Sequence, residues 1–181
     1  MSKKDSEEPI PYPWYATEDW VNLEQGDFVL DCPVLVPEGN ITEKLMNAKA
    51  DLALKVPIAI EVYNLVIMSQ SCDLINDKVS QVLLCACFLA SNQSKNIRNE
   101  IRKDRMPALH MIEKCELPDY AFDRQIVDFR TIYTLPKDFV EEFTKRTGKR
   151  VRLLSPYKEH LSQAFARYFM RVGLPRPLKE E

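Results

Sequence analysis

Residues 66–77 read VIMSQSCDLIND, an apolar run that changes within one residue into a polar cluster. The run Val66–Met68 has the β-branched and long apolar side chains that are typical of a buried strand. The polar cluster combines two hydroxyls, an amide, a thiol and a carboxylate. Because folds commonly place functional groups where a rigid strand ends in an accessible loop, this stretch is the first candidate for a site.

The apolar segments on either side of this loop indicate the fold class. The segment before it is the longest apolar stretch of the chain, and we divide it near Glu61 into strands over Ile58–Ile60 and Tyr63–Ser69. The segment after it, Ser80–Leu89, reads SQVLLCACFL, which predicts a strand covered on both faces. Two strands joined by a short polar loop are typical of a hairpin.

The flanking sequence predicts the remaining elements. Further strands are predicted at residues 28–36, 109–112, 126–135 and 151–154, and helices at residues 17–23 (capped by Thr17), 41–55, 91–105, 138–145 and from Ser155 to Gly173. Strands without a regular alternation with helices are typical of an α+β protein with an antiparallel sheet or small barrel. Residues 1–16, rich in proline, predict an extended arm, and residues 17–181 predict one domain.

Composition excludes several classes of protein. A chain of 181 residues with 45% hydrophobic residues can bury a core, and its net charge of −2 gives no global attraction to nucleic acid. Its four glycines form no Gly-rich phosphate loop. The charged N-terminus is unlike a signal peptide, and no segment reaches the roughly 18 apolar residues of a membrane span. Five cysteines without framework spacing fit a reducing compartment, so we predict a cytoplasmic protein.

The thiol of Cys72 is a candidate nucleophile, which requires a nearby base. The chain has two histidines, and we name Cys72, Asp73 and His110 as candidate catalytic residues. The alternative interpretation is structural. In that case Cys72 is a small buried residue, and Asp73 accepts hydrogen bonds from backbone N–H groups of the following turn.

The pair Cys85 and Cys87 places two thiols on one face of a predicted strand. Structural zinc sites normally use paired CxxC or CxxH knuckles, which this sequence lacks. Cysteines inside an apolar run are ordinarily core residues. We therefore predict neither a metal site nor a cofactor.

Two sets of polar residues are candidates for ligand binding. Arg167 and Arg171 lie on one flank of the last predicted helix, where they either bind a phosphate or carboxylate or form a solvated face. We add Ser69, Gln70 and Ser71 to them, and we expect the last helix to pack near that loop.

Residues 145–152 read KRTGKRVR and hold five basic residues. This basic run either contacts a nucleic-acid backbone or is a helix C-terminus favoured by the helix dipole.

One set of motifs resembles the MazF/PemK toxin family. Gln25–Val29 opens a strand, and Leu65–Gln70 is followed by Val82–Ala86, in the order that this family shows. The resemblance implies an SH3-like, PemK-like antiparallel β-barrel with peripheral helices and a C-terminal helix, and an RNA-cleaving activity. Where the family has a catalytic Arg-Pro pair, this chain has Tyr63-Asn64.

A second set of motifs covers most of the chain. Ser69–Leu74, Ile126–Arg130 and Leu161–Pro175 resemble a group of uncharacterised bacterial and phage-borne proteins that share a Ser-Gln-x-Cys-Asp-Leu motif. This resemblance implies no particular activity. It implies that the loop and the last helix are parts of one shared fold.

Two functions follow as hypotheses. The first is a non-catalytic binding or regulatory module that has a protein partner, within a bacterial or phage defence or mobile-element system. The second is an enzyme centred on Ser69–Leu74, either a ribonuclease-like toxin that acts on RNA or a thiol-dependent hydrolase. The enzyme requires His110 or Arg171 within hydrogen-bond reach of Cys72 or Asp73. The module requires a buried Cys72 and a carboxylate of Asp73 that is occupied by backbone N–H groups.

Overall fold

The computed structural model describes residues 13–18, 22–39, 42–43, 46, 57–118, 120–148 and 150–170. The strands are β1 (Tyr15–Glu18), β2 (Phe28–Pro37), β3 (Ile58–Ile67), β4 (Gln81–Leu89), β5 (Leu109–Ile112), β6 (Gln125–Pro136) and β7 (Arg150–Leu153). The helices described here are α1 (Ser71–Ile75), α2 (Lys95–Arg102), α3 (Lys137–Thr147) and α4 (Tyr157–Phe169), with a 3₁₀ turn at Ala90–Asn92.

These strands form two antiparallel sheets. The large sheet has the order β2-β3-β4-β6-β5, and β1 pairs with β7 in the small sheet. A bridge between Asp27 and Arg152 connects the start of β2 with β7. The predicted α+β class with an antiparallel sheet is confirmed, whereas the described strands do not close into one barrel.

Both faces of the large sheet are covered, because successive side chains of a strand point to opposite faces. Val66 of β3 lies in a core cluster with Leu161 of α4, which we call the α4 core. Its neighbour Ile67 lies in a second cluster with Leu74 of α1 and Val140 of α3, which we call the α1 core. Helices α1 and α4 therefore lie on opposite faces of the sheet.

Helix α2 packs on the β5 edge through a third, smaller cluster. Ile101 of α2, Leu109 of β5 and Ile126 of β6 are buried together there, and Ile97 packs against them. Ser94 caps this helix, since its hydroxyl accepts a hydrogen bond of 3.3 Å from the N–H of Ile97. Burial of Ile97 and Ile101 fixes which flank of α2 faces solvent.

The N-terminal boundary of the fold differs from the prediction. Thr17 is not a helix cap, because it lies in β1 and pairs with Val151 of β7. Tyr15 of β1 is buried in the α4 core, and this tertiary pairing overrides the local helix signal. Trp14 stacks on Tyr157 with ring centroids 3.6 Å apart, so the end of the predicted arm packs against α4.

Two predictions near the central loop are also corrected. Strand β3 is continuous through Glu61, whose exposed side chain accepts a hydrogen bond from Tyr63 and does not interrupt the pairing with β2. β3 and β4 are antiparallel neighbours as predicted, but their connection contains α1 and is not a simple loop. The predicted helix at 41–55 lies almost entirely outside the described residues.

Candidate functional site

The loop after β3 is held in place by its own hydroxyl groups. The Oγ atom of Ser69 accepts a hydrogen bond of 2.8 Å from the N–H of Leu83, and Ser71 Oγ accepts one of 3.1 Å from the N–H of Gln25. The side chain of Gln25 donates to the carbonyl of Met68 at 2.9 Å. Both hydroxyls therefore join the loop to neighbouring backbone, which is a common role of serine in turns.

Cys72 is exposed in this loop, and Asp73 beside it is half-buried. Among the five cysteines, Cys72 alone is exposed. Its Sγ atom lies 3.7 Å from Oδ1 of Asp73, and the same oxygen lies 3.7 Å from Nζ of Lys78. Within the described residues no backbone N–H donates to the Asp73 carboxylate, so neither structural expectation for this pair holds. Gln70 is exposed and begins α1 through its backbone carbonyl.

His110 lies on β5, far from this loop. Strand β5 is three strand intervals from β3, or about 14 Å at about 4.8 Å per interval. Burial lowers the pKa of His110, and the charges of Asp104, His160 and Arg167 also act on it. Its imidazole is therefore neutral at neutral pH. The structure does not bring Cys72 and His110 together.

Arg167 lies with His110 and not with the loop. Both residues line one cavity with Asp104, at the end of β5 that α4 covers. Because α1 and α4 lie on opposite faces of the large sheet, Arg167 is not brought to the Ser69–Asp73 loop. The start of α4 lies nearer to it, since Lys158 is beside Gly26 and the neighbouring Gln25 donates to Ser71. Arg171 lies outside the described residues.

A buried ion cluster holds the turn before β2. Asp27 is fully buried and binds Arg152 through both carboxylate oxygens, at 2.5 and 3.0 Å. Nε of Arg150 lies 3.3 Å from Asp27, and Glu24 binds Arg152 at 2.5 Å. Burial lowers the pKa of Arg150. Burial also opposes the charge of Arg152, but the two carboxylates outweigh it and raise its pKa.

The basic run 145–152 is therefore not one charged surface. Arg150 and Arg152 point into the fold, where they neutralise Asp27 and Glu24. Arg146 is exposed and pairs with Glu142 of the same helix at 3.0 Å.

A cavity of about 550 Å³ lies between α2 and the segments that flank β5 and β6. Its walls hold five basic side chains and one carboxylate, that of Asp123, and we call it the basic groove. The five basic residues are Lys95, Arg98, Arg102, Lys114 and Arg124.

The five cations of the basic groove differ in their partners. Arg124 binds Glu113 through two contacts of 2.6 and 2.9 Å, and Lys114 pairs with Glu116. Arg98 donates to backbone carbonyls, at 3.0 Å to that of Gln93. The remaining two, Lys95 and Arg102, form no ion pair with any described residue.

The sequence contains a partial signal for this groove. At 100° per residue, Lys95, Arg98 and Arg102 fall within an arc of about 60° on α2, on one flank of the buried Ile97–Ile101 stripe. Lys114 and Arg124 join them only through the pairing of β5 with β6. The helix predicted at residues 91–105 was given no role in binding, so the groove was not predicted.

A second chamber of about 250 Å³ adjoins the basic groove and shares Arg102, Met111 and Arg124 with it. Its character is different, since aromatic, apolar and acidic groups line the rest of its wall. The residues that it adds are Trp14, Ile101, Asp104, His110, Ile112 and Glu113.

Comparison of the chain with protein-family models and with curated proteins finds no match in either. None of the described helices combines the length and the apolar character that crossing a membrane requires. Across the described ranges, no three or more His, Cys, Asp or Glu side chains are grouped as metal ligands would be.

Proposed function

We propose that this protein is a non-catalytic binding module whose basic groove holds an anionic ligand. The observation that carries the proposal is the groove itself, in which five cations face one carboxylate although the whole chain has a net charge of −2. A concave surface lined by charges of one sign concentrates its field and attracts ligands of the opposite sign. Lys95 and Arg102 contribute most, because neither is neutralised by a described carboxylate.

The exposure of Cys72 does not match what we expected of a binding module, but the enzyme hypothesis lacks its base. The hydroxyls of Ser69 and Ser71 accept hydrogen bonds from backbone N–H groups and so stabilise the loop. His110 does not supply the base that a nucleophilic Cys72 requires. A nucleophilic thiol needs such a base or a cationic setting that stabilises thiolate.

A protein partner also belongs to the proposal. At the outer end of the β2–β3 pair, Leu35, Ile58, Ile60 and Val62 are 57–68% exposed. Leu35 lies opposite Ile60 in the register, so these side chains form one apolar surface. Contiguous exposed apolar surface of this kind is typical of protein contacts.

From the sequence resemblances we also propose that the protein acts in the cytoplasm, as part of a bacterial or phage defence or mobile-element system. The SH3-like, PemK-like barrel is our interpretation of the two sheets. It is supported by the Asp27–Arg152 bridge, which joins the small sheet to the start of β2.

Binding of inorganic tripolyphosphate, measured by titration calorimetry, tests the proposal. We expect binding that weakens between about 50 mM and about 200 mM salt, because ion release accompanies contact between cations and phosphates. The double variant Lys95→Ala/Arg102→Ala should bind less tightly. The matched control Lys145→Ala/Arg146→Ala removes the same charge from α3 and should bind as the natural chain does. Equal affinity in the two double variants would contradict the assignment of the groove.

One observation favours a second candidate, a ribonuclease-like toxin or thiol-dependent hydrolase. The Cys72 thiol is exposed, and a carboxylate and an ammonium group lie beside it in Asp73 and Lys78. Overexpression of the natural chain, Cys72→Ala and Asp73→Asn separates the candidates. Toxicity that is lost in a folded variant would support the enzyme, whereas no toxicity and no RNA cleavage would contradict the toxin.

A further inference from the structure

The positive surface of the basic groove is short. Lys95 and Arg102 stand seven residues apart on α2, which is about 10 Å along a helix axis. Lys114 and Arg124 line the same cavity from the segments beside β5 and β6. A cationic surface of this length, with side chains from separate elements, matches a few adjacent phosphates.

The second chamber ends this positive surface. Arg102 and Arg124 also line it, but Glu113 neutralises Arg124, and Asp104 forms no ion pair with a described residue. A phosphodiester strand that continued from the basic groove would therefore meet the carboxylate of Asp104. Like charges placed opposite one another disfavour such a ligand. The ligand part that enters the second chamber should therefore be uncharged and should carry N–H donors.

The walls of the second chamber fit an aromatic base. Trp14 stacks on Tyr157 with an angle of 8° between the rings, so the plane of the indole is fixed by α4. Met111 adds an apolar contact, and His110 adds a neutral imidazole that can donate and accept hydrogen bonds. Aromatic side chains bind bases by stacking, and carboxylates accept hydrogen bonds from the N–H groups of bases.

We infer that the two chambers together form a site for a nucleoside diphosphate or triphosphate. The phosphates lie among the cations of the basic groove, and the base lies against Trp14 within reach of Asp104. The combined volume falls in the range of ordinary small-molecule sites, about 300–1,000 Å³. This inference rests on the proposed function and specifies the ligand of the same groove.

Titration calorimetry of the full chain with a matched ligand series tests the inference. The probes are ATP, GTP, CTP and UTP, inorganic tripolyphosphate, the four nucleosides, and a single-stranded oligonucleotide. We expect at least one triphosphate to bind about fivefold or more tightly than tripolyphosphate, since one stacked base contributes about 1–3 kcal/mol. Nucleosides alone should bind weakly.

Two variants locate the base. Asp104→Asn preserves the left-handed backbone of that residue, at φ 54°, because asparagine tolerates this conformation. Trp14→Leu removes the stacking surface. Both variants should weaken binding of the preferred triphosphate and leave the affinity for tripolyphosphate unlowered. If Trp14→Leu does not fold, Asp104→Asn and the ligand series still test whether the base binds in the second chamber.

The outcomes separate this inference from the proposed function. Tripolyphosphate that binds as tightly as every nucleotide would overturn the inference and leave the anion-binding groove standing. An oligonucleotide that binds much more tightly than any mononucleotide would overturn it in favour of a strand. Equal losses for both ligands in Asp104→Asn would also overturn it. If no anion binds at low salt, the inference and the proposed function fail together.

Discussion

Replacing Asp27 by asparagine should be one of the most destabilising substitutions in this fold. The substitution keeps the shape of the side chain and removes one charge from the buried ion cluster. In that cluster the carboxylates of Asp27 and Glu24 balance the guanidinium groups of Arg150 and Arg152, whose side chains are 7% exposed. Without Asp27, one positive charge is left without compensation where both guanidinium groups are buried.

The magnitude follows from the contacts that are lost. Asp27 accepts hydrogen bonds from Arg152 at 2.5 and 3.0 Å and from the N–H of Glu24 at 3.0 Å, and its own exposure is 0%. Removing one partner of a buried ion pair costs about 3–5 kcal/mol. We expect Asp27→Asn to lower the free energy of unfolding by that amount.

Urea unfolding, followed by far-ultraviolet circular dichroism, measures this loss. The control Asp123→Asn removes an exposed carboxylate and should change the free energy of unfolding by less than about 0.5 kcal/mol. Arg150→Met in the Asp27→Asn background restores the balance of charge, so the double variant should lose less than the sum of the single variants. If Asp27→Asn lowers the free energy of unfolding by less than about 1 kcal/mol, the reasoning is refuted, because a buried unpaired charge destabilises a fold by more than that.

Three further substitutions or measurements test other parts of the structure. A disulfide reagent should modify one thiol per folded chain, that of Cys72, because the other cysteines are buried and burial raises the pKa of Cys85 to about 12. Gly26→Ala should destabilise by about 1–3 kcal/mol, measured by urea unfolding, because φ is 87° and the added carbon would lie 3.3 Å from Leu153. Since the pKa of His110 is lowered in the fold, stability should fall as the pH decreases below about 6.5, and His110→Gln should reduce this fall.

Each of these expectations has a clear opposite result. Rapid modification of a second thiol before unfolding would show that the α1 core or the α4 core is open. A Gly26→Ala chain as stable as the natural one would mean that the turn can relax. For His110, the unfolded chain binds the proton first as the pH decreases. A pH profile that is identical with and without His110 would therefore contradict its burial as a neutral group.

Local patterns were sufficient for elements whose own apolar spacing is strong. The apolar run at β4, the alternation at β6 and the apolar spacing of α4 each predicted the correct element. Strand β1 was missed because its stability comes from β7, where Tyr15 pairs with Leu153. No window of sequence around Tyr15 contains that information, and an isolated strand has little propensity of its own.

The candidate site was harder to predict for a related reason. The loop around Cys72 was found as an accessible loop after a buried strand, but its supposed base, His110, is separated from it by two strands of the sheet. In the basic groove, Lys95 and Arg102 are visible as one flank of a helix. Arg124 joins them only because β6 pairs with β5. Spatial constellations of this kind are fixed by topology and not by spacing.

The turn at Gln25–Asp27 also constrains the order in which the chain can fold. Gln25 binds Ser71 across 46 residues, and Asp27 binds Arg152 across 125. During synthesis, the buried carboxylate has no arginine partner from β7 until that strand has left the ribosome. Contacts of such long sequence separation close the largest loops and are slow to form. The start of β2 therefore lacks its buried ion partner until residue 152 has been made.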